Sequence, residues 1–213
     1  MILLISATSF EIQPTIDWIE KQNLTSKVEV LISGVGSPAT MFSTMKCIAE
    51  EKPDLIIQAG IAGSFKPELK IGEVVIVETE QWCDLGIEDH NEFHSLFDMK
   101  FTKPNELPYS NGIIACKYPK IKAIEQLRKV NAVTSNTAHG NQISIDKIVK
   151  KYNPDIETLE GAAVAYICAM EKIPFLQIRS ISNIVEPRNR EAWNIPLAII
   201  SLNLKLQSFL LNI

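Results

Sequence analysis

Arginine is the first shortage. It occurs four times, at Arg128, Arg179, Arg188 and Arg190, all in the C-terminal half, and 21 basic residues face 25 acidic ones for a net charge of −4. Such a chain has no basic footprint for nucleic acid. Long apolar runs are also missing. The opening "MILLISATSFEIQP" is apolar only briefly and lacks a basic leader, so it reads as a first strand rather than a signal peptide, and nothing approaches membrane-spanning length. Cys47, Cys83, Cys116 and Cys168 form no C-x-x-C pair, which argues against a zinc site or disulfide framework and for reduced core thiols in a cytoplasmic protein. Histidine is scarce too. His90 and His94 in "DHNEFH" have the i, i+4 spacing of a helical metal pair but no evident third ligand, so neither metal nor organic cofactor is expected.

With 46% hydrophobic and 22% charged residues, the 213-residue chain can bury a full core as one domain, 1–213. Strand-like runs alternate with helical ones. "ILLIS" precedes a helix through "EIQPTIDWIEKQ"; "VEVLIS" precedes one starting at Ser37-Pro38, with Ser37 as N-cap and the proline in the first turn. "LIIQAG" is apolar on both faces, as in a strand buried in a parallel sheet, and "GEVVIVETE" follows. After a polar stretch over 81–110 come "GIIAC", a helix over 121–128, "NAVTS", a helix over 145–152, "IETLE", a helix over 161–171, "FLQIRSIS", and a last helix over 193–211. The alternation predicts an α/β three-layer sandwich around a mixed, mostly parallel sheet. Ligands of such sheets sit beyond the carboxyl ends of the strands.

Those ends are rich in small residues: "SATSFE", "SGVGSP", "QAGIAGS", "ETLEGA" and "RSISN". "GVGSPA" fits a dinucleotide fingerprint, but Asp54 precedes its strand instead of ending it, so a nucleotide cofactor is not indicated. Glu11, Glu160 and Asn183 are the polar candidates. Each has a plain alternative: a first-turn acid on a helix dipole, an N-cap, and a local turn. Periodicity leaves those alternatives open.

The set "ATSFE", "SGVG", "QAGIAGSFKPELKIGEVVIV" and "ETLEGAAVAYICAMEKIPFLQIRSISN" resembles the nucleoside phosphorylase and nucleosidase family, especially the methylthioadenosine/S-adenosylhomocysteine nucleosidases. The continuation "NIVEPRNREAWNIPLAI" is similar to the branch that hydrolyses futalosine on the way to menaquinone. This resemblance implies cleavage of a purine from C1′ of a ribosyl group through an oxocarbenium-like transition state, in a homo-oligomer acting on a small purine nucleoside. It implies that Glu11 orients and deprotonates water, that Glu160 holds the ribose hydroxyls and favours the cation, and that Ala62, Gly63, Leu159 and Ser182 line the pocket. Adenine-specific relatives place an aspartate where this chain has Asn183. An amide cannot be that acid, yet its NH2 can donate to a 6-oxo group while its carbonyl accepts from a protonated N7, which suits hypoxanthine. The purine-stacking aromatic is not evident in "NTAHGNQIS", where His139 and Ile143 are the bulky residues. Phosphate-using relatives recruit arginines near the early glycine turns, and none occurs before Arg128, so water is the expected nucleophile. Futalosine's benzoate-like end calls for a guanidinium and an aromatic wall, which Arg188 or Arg190 and Trp193 can provide. The competing readings are an aminodeoxyfutalosine or methylthioadenosine nucleosidase, a 6-oxopurine phosphorylase, and a nucleoside-binding module without turnover.

Overall fold

The computed structural model describes residues 1–90 and 92–212. Strand β1 (Ile2–Ser6) is buried at every position. Its side chains alternate between two cores. Ile2 and Leu4 pack with Ile12 and Ile19 of α1 (Ser9–Lys21) and with Leu202, Leu206 and Phe209 of α5 (Ile195–Leu210). Leu3 and Ile5 join Ile48 of α2 (Ser37–Glu50) and Val164, Ile167 and Cys168 of α4 (Gly161–Glu171). Strand β3 (Leu55–Ser64) divides likewise, with Leu55 and Ile57 on one side and Ile56 on the other. An uninterrupted apolar strand is thus a sheet covered on both faces. Each such Ile or Leu contributes roughly 1.5–3 kcal/mol relative to exposure.

The other strands are β2 (Val28–Ile32), β4 (Val74–Trp82), a hairpin of β5 (Gly86–Asp89) and β6 (Glu92–Ser95), β7 (Ile114–Ala115), β8 (Arg128–Thr134), β9 (Ile156–Thr158) and β10 (Phe175–Ile184). The order β2-β1-β3-β9-β8-β4-β10 is closed by a further pairing of β10 with β3. Pairs β1–β2, β1–β3, β3–β10, β4–β8 and β8–β9 are parallel, whereas β4–β10, β3–β9 and β4–β7 are antiparallel. The mixed, mostly parallel sheet expected from the sequence is present, and its middle curls into a ring. The ring gathers the ends of β3, β9 and β10 around one opening.

Three local expectations change. The helix predicted over 121–128 is a single 3-10 turn, Lys122–Ile124. Its apolar residues still anchor, with Ile124 buried, but Arg128 must already be extended to pair in register with Val75 of β4. The segment 86–95 is a hairpin, with His90 in its turn at φ +54°, so the helical metal spacing of His90 and His94 does not exist. Helix α2 is capped by Gly36 rather than Ser37, with Pro38 in its first turn. The rest of the polar stretch carries Phe97 and Tyr109, which stack edge-on at 5.0 Å over a cavity of about 230 Å³ shared with Trp82 and Tyr152. Among the described residues no helix is long and apolar enough to cross a membrane.

Candidate active site

A cavity of about 330 Å³ opens where β1, β3, β9 and β10 end. Glu11, Ala62, Gly63, Leu159, Glu160, Ser182, Asn183, Arg188 and Trp193 all line it. Arg190 does not. It begins the 3-10 turn Arg190–Ala192 and is exposed. Ile143 is 70% exposed at the start of α3 (Gln142–Tyr152) and lies outside the lining, which leaves His139 as the bulky residue of that loop in the cavity.

Glu11 is the third residue of α1, and its carboxylate is pinned from both sides. Oε2 accepts Thr8 Oγ1 at 2.9 Å, Thr8 N at 3.2 Å and Ser6 Oγ at 3.4 Å, while Oε1 accepts Ile61 N at 3.1 Å. The carboxylate therefore caps its own helix and also reaches the cavity. Its backbone is braced from α5. Asn203 Nδ2 donates to Glu11 O at 2.8 Å, and Asn203 Oδ1 accepts Thr15 N at 3.0 Å and Thr15 Oγ1 at 2.6 Å.

Glu160 occupies the N-cap of α4 but makes no cap bond there. Its Oε1 accepts Gly36 N at 2.9 Å instead. Gly36 has φ +86°, a conformation open to glycine and strained for other residues, so the early glycine turn presents its amide to a carboxylate. Asp54 lies at the other end of β3, paired with the N-terminal amine. Burial lifts the Glu160 carboxyl above its ordinary value; Arg179 and the Gly36 amide oppose the rise, and Glu11 adds to it.

Arg179 is the residue the sequence reading missed. It stands in the apolar strand β10, 2% exposed, with Nη1 4.0 Å from Glu160 Oε2. A Cβ on Gly60 would lie 2.5 Å from that Nη1 and 2.9 Å from Glu11 Oε1, so the guanidinium and the Glu11 carboxylate meet over bare backbone. The available signal was a lone charge inside "FLQIRSIS". Two carboxylates against one guanidinium leave a net negative site, which suits a developing cation.

Ser182 Oγ donates to Ala62 O at 3.2 Å and to Asn183 Oδ1 at 2.8 Å, and Asn183 Nδ2 donates to Ile184 O at 3.0 Å. The amide orientation is thereby set, with one N–H and one lone pair left for a ligand. Arg188 N donates to Gly140 O at 3.1 Å, and its guanidinium lies 5.3 Å from the Trp193 ring centroid. Trp193 and Asn194 join the site to α5 through Asn194 N, which donates to Ser182 O at 2.9 Å. Among the described residues no salt bridge joins Arg188 or Arg190 to Glu186 or Glu191, and no cluster of His, Cys, Asp or Glu could hold a metal.

Beneath α4, Glu80 is fully buried. It accepts Thr134 Oγ1 at 2.9 Å, Gln177 Nε2 at 2.9 Å and Thr158 Oγ1 at 3.4 Å. Gly161 is bare because a Cβ there would collide with this carboxyl. Burial raises the Glu80 pKa to about 7, against the lowering pull of Gln177, Arg179, Thr134 and Thr158. The folded protein then holds a proton that the unfolded chain releases near pH 4.5. This share of stability is complete below pH 4.5, is lost as pH rises to about 7, and is flat above. Glu80→Gln is expected to remove up to about 3 kcal/mol of that decline. Urea unfolding of both proteins at pH 5 and pH 8 checks it; equal pH dependence in the two would refute the assignment.

Comparison with known proteins identifies the family. The Phosphorylase superfamily profile matches residues 21–200. The futalosine hydrolase of Streptomyces coelicolor is 29% identical over 183 residues, covering 82% of this chain and 74% of that protein. A 5′-methylthioadenosine/S-adenosylhomocysteine nucleosidase of Pseudoalteromonas translucida is 28% identical over 187 residues, with 83% and 75% covered. In structure, the Helicobacter pylori futalosine hydrolase superposes with a TM-score of 0.80 at 16% identity, covering 100% of this chain and 97% of the other. A Colwellia psychrerythraea nucleosidase solved with adenine gives 0.77 at 19% identity, covering 99% and 94%. A profile spanning most of the chain, on a fold whose strand ends hold two carboxylates over one cavity, makes this protein a member of the phosphorylase superfamily.

Proposed function

We propose that the protein is a nucleosidase that hydrolyses the N-glycosidic bond of futalosine, releasing hypoxanthine and dehypoxanthine futalosine in menaquinone biosynthesis. The observation that carries the choice of base is the fixed amide of Asn183. Its free N–H suits the 6-oxo group of hypoxanthine, whereas an adenine 6-amino group would meet that N–H donor to donor. Water held at Glu11 attacks C1′, Glu160 binds the ribose hydroxyls, and the net negative charge of the two carboxylates with Arg179 favours the cationic transition state. Arg188 lying on Trp193 supplies a guanidinium and an aromatic wall for the benzoate-like 5′ end, a role the sequence alone divided between Arg188 and Arg190. The reading carries with it a cytoplasmic homo-oligomer.

Chromatographic detection of released purine in phosphate-free buffer tests the proposal, with futalosine, aminodeoxyfutalosine, inosine and methylthioadenosine offered side by side. Hypoxanthine from futalosine alone is expected. Adenine release would make the protein an adenine nucleosidase, turnover only with added phosphate would make it a phosphorylase, and binding without turnover would make it a nucleoside-binding module.

A further inference from the structure

Hydrolysis as proposed leaves one demand unmet: the departing purine takes the electron pair of its bond to C1′, and Asn183 has no proton to give. The cavity has a second polar wall. Gly63 of β3 pairs with Asn183 on β10 and with Glu157 on β9, so the two side chains flank one bare backbone position on the same face of the sheet. Both side chains line the cavity, so a base held at the Asn183 amide by one edge turns its other edge toward the Glu157 wall. Glu157 is 7% exposed and does not stand alone. Its Oε1 accepts His139 N at 3.0 Å and its Oε2 is bonded to His139 Nδ1. With Nδ1 engaged, the ring's remaining donor is Nε2–H, on a side chain that lines the cavity and is itself 11% exposed.

We propose that His139, held by Glu157, protonates the leaving purine on the edge opposite Asn183. The inference rests on the nucleosidase reading above. In the step, the C1′–N9 bond breaks with its electrons passing to the purine, and the imidazolium gives its Nε2 proton to N3. The water oxygen bonds to C1′ and gives a proton to Glu11, which returns to His139 through solvent, so the net change is addition of water. The surroundings favour the charged ring. The bond to Glu157 raises the His139 pKa most, Asp84 adds to the rise, and burial opposes it. Asp84 holds the same loop through Asn136 N at 2.7 Å, Arg188 packs on Gly140, and Glu160 faces the cavity from the start of α4. The sequence concealed the pair because Glu157 reads as an ordinary residue of the strand "IETLE".

The decisive variant is His139→Asn, whose amide can keep the bond to Glu157 but has nothing where Nε2 stood. It is expected to slow purine release about 10²-fold or more, the usual worth of a general acid. A 4-nitrophenyl riboside, whose leaving group needs no proton, should be cleaved at close to the wild-type rate. A second readout needs only the purine substrate. Wild-type kcat should fall as pH rises through the His139 pKa, and Glu157→Gln should move that fall to lower pH. Equal losses on both substrates, or an alkaline limb that Glu157→Gln leaves in place, would reduce His139 to a structural role and overturn the inference. Wild-type protein that releases no purine overturns the nucleosidase reading together with this one. Wild-type turnover with an unaffected His139→Asn overturns this one alone.

Discussion

Glu11→Gln is expected to lower kcat for purine release by roughly 10³-fold or more, within the range that a positioned base contributes when water must be deprotonated. The substitution is isosteric but not innocent. All four hydrogen bonds to the carboxylate come from donors: Ser6 Oγ, Thr8 N, Thr8 Oγ1 and Ile61 N. An amide must turn its NH2 toward at least one of them, which costs about 1–3 kcal/mol of stability. That loss is small against typical folding stabilities, so the fold should survive. Turnover is therefore read well below the melting temperature, with the melt recorded beside it. A folded variant with wild-type kcat would take Glu11 out of the reaction, and one whose rate fell only in proportion to its folded fraction would make it a helix cap and nothing more.

Asn183→Asp should reverse the choice of base. In the wild-type chain Oδ1 accepts from Ser182 and Nδ2 donates to the Ile184 carbonyl. An aspartate would place its second oxygen against that carbonyl, acceptor to acceptor, and the conflict is relieved when the carboxyl keeps a proton. A protonated carboxyl at this edge can supply N7 of adenine, and its other oxygen can accept from the 6-amino group. The ratio of adenine to hypoxanthine release, measured on aminodeoxyfutalosine and futalosine, is expected to swing by roughly 10³-fold toward adenine. An unchanged ratio would mean that base identity is read elsewhere, with the Glu157 wall the first place to look.

How much of this was legible in the sequence depended on whether a signal was local. The apolar strand of residues 2–6 and the small-residue helix of 161–171 are local signals, and both stand where expected. Glu11 and Glu160 could be ranked as candidates, but cap and site readings tied. Contacts between distant parts of the chain add what periodicity lacked, since Ile61 N and Gly36 N bond the two carboxylates from other parts of the fold. Arg179 and the His139–Glu157 pair were hidden for the same reason. Each makes sense only once β3, β9 and β10 are drawn into one ring. Arg188 and Arg190 differ by two residues in sequence and are both exposed, yet Arg188 lines the cavity and Arg190, which begins a 3-10 turn, does not. The lost helix at 121–128 shows propensity overruled by strand register.

Asn203 sets an order of events during synthesis. Its amide joins Glu11 O and Thr15 N, groups on a helix made 192 and 188 residues earlier. On the ribosome the first helix emerges long before its brace exists, and domains built from sequence-distant contacts complete late. A nascent chain halted before α5 can pair β1 with β2 and β3, yet its Glu11 stands on a helix with no partner at that buried face. The backbone that carries Glu11 therefore gains its brace only with the docking of α5, the last element of the described chain to be made.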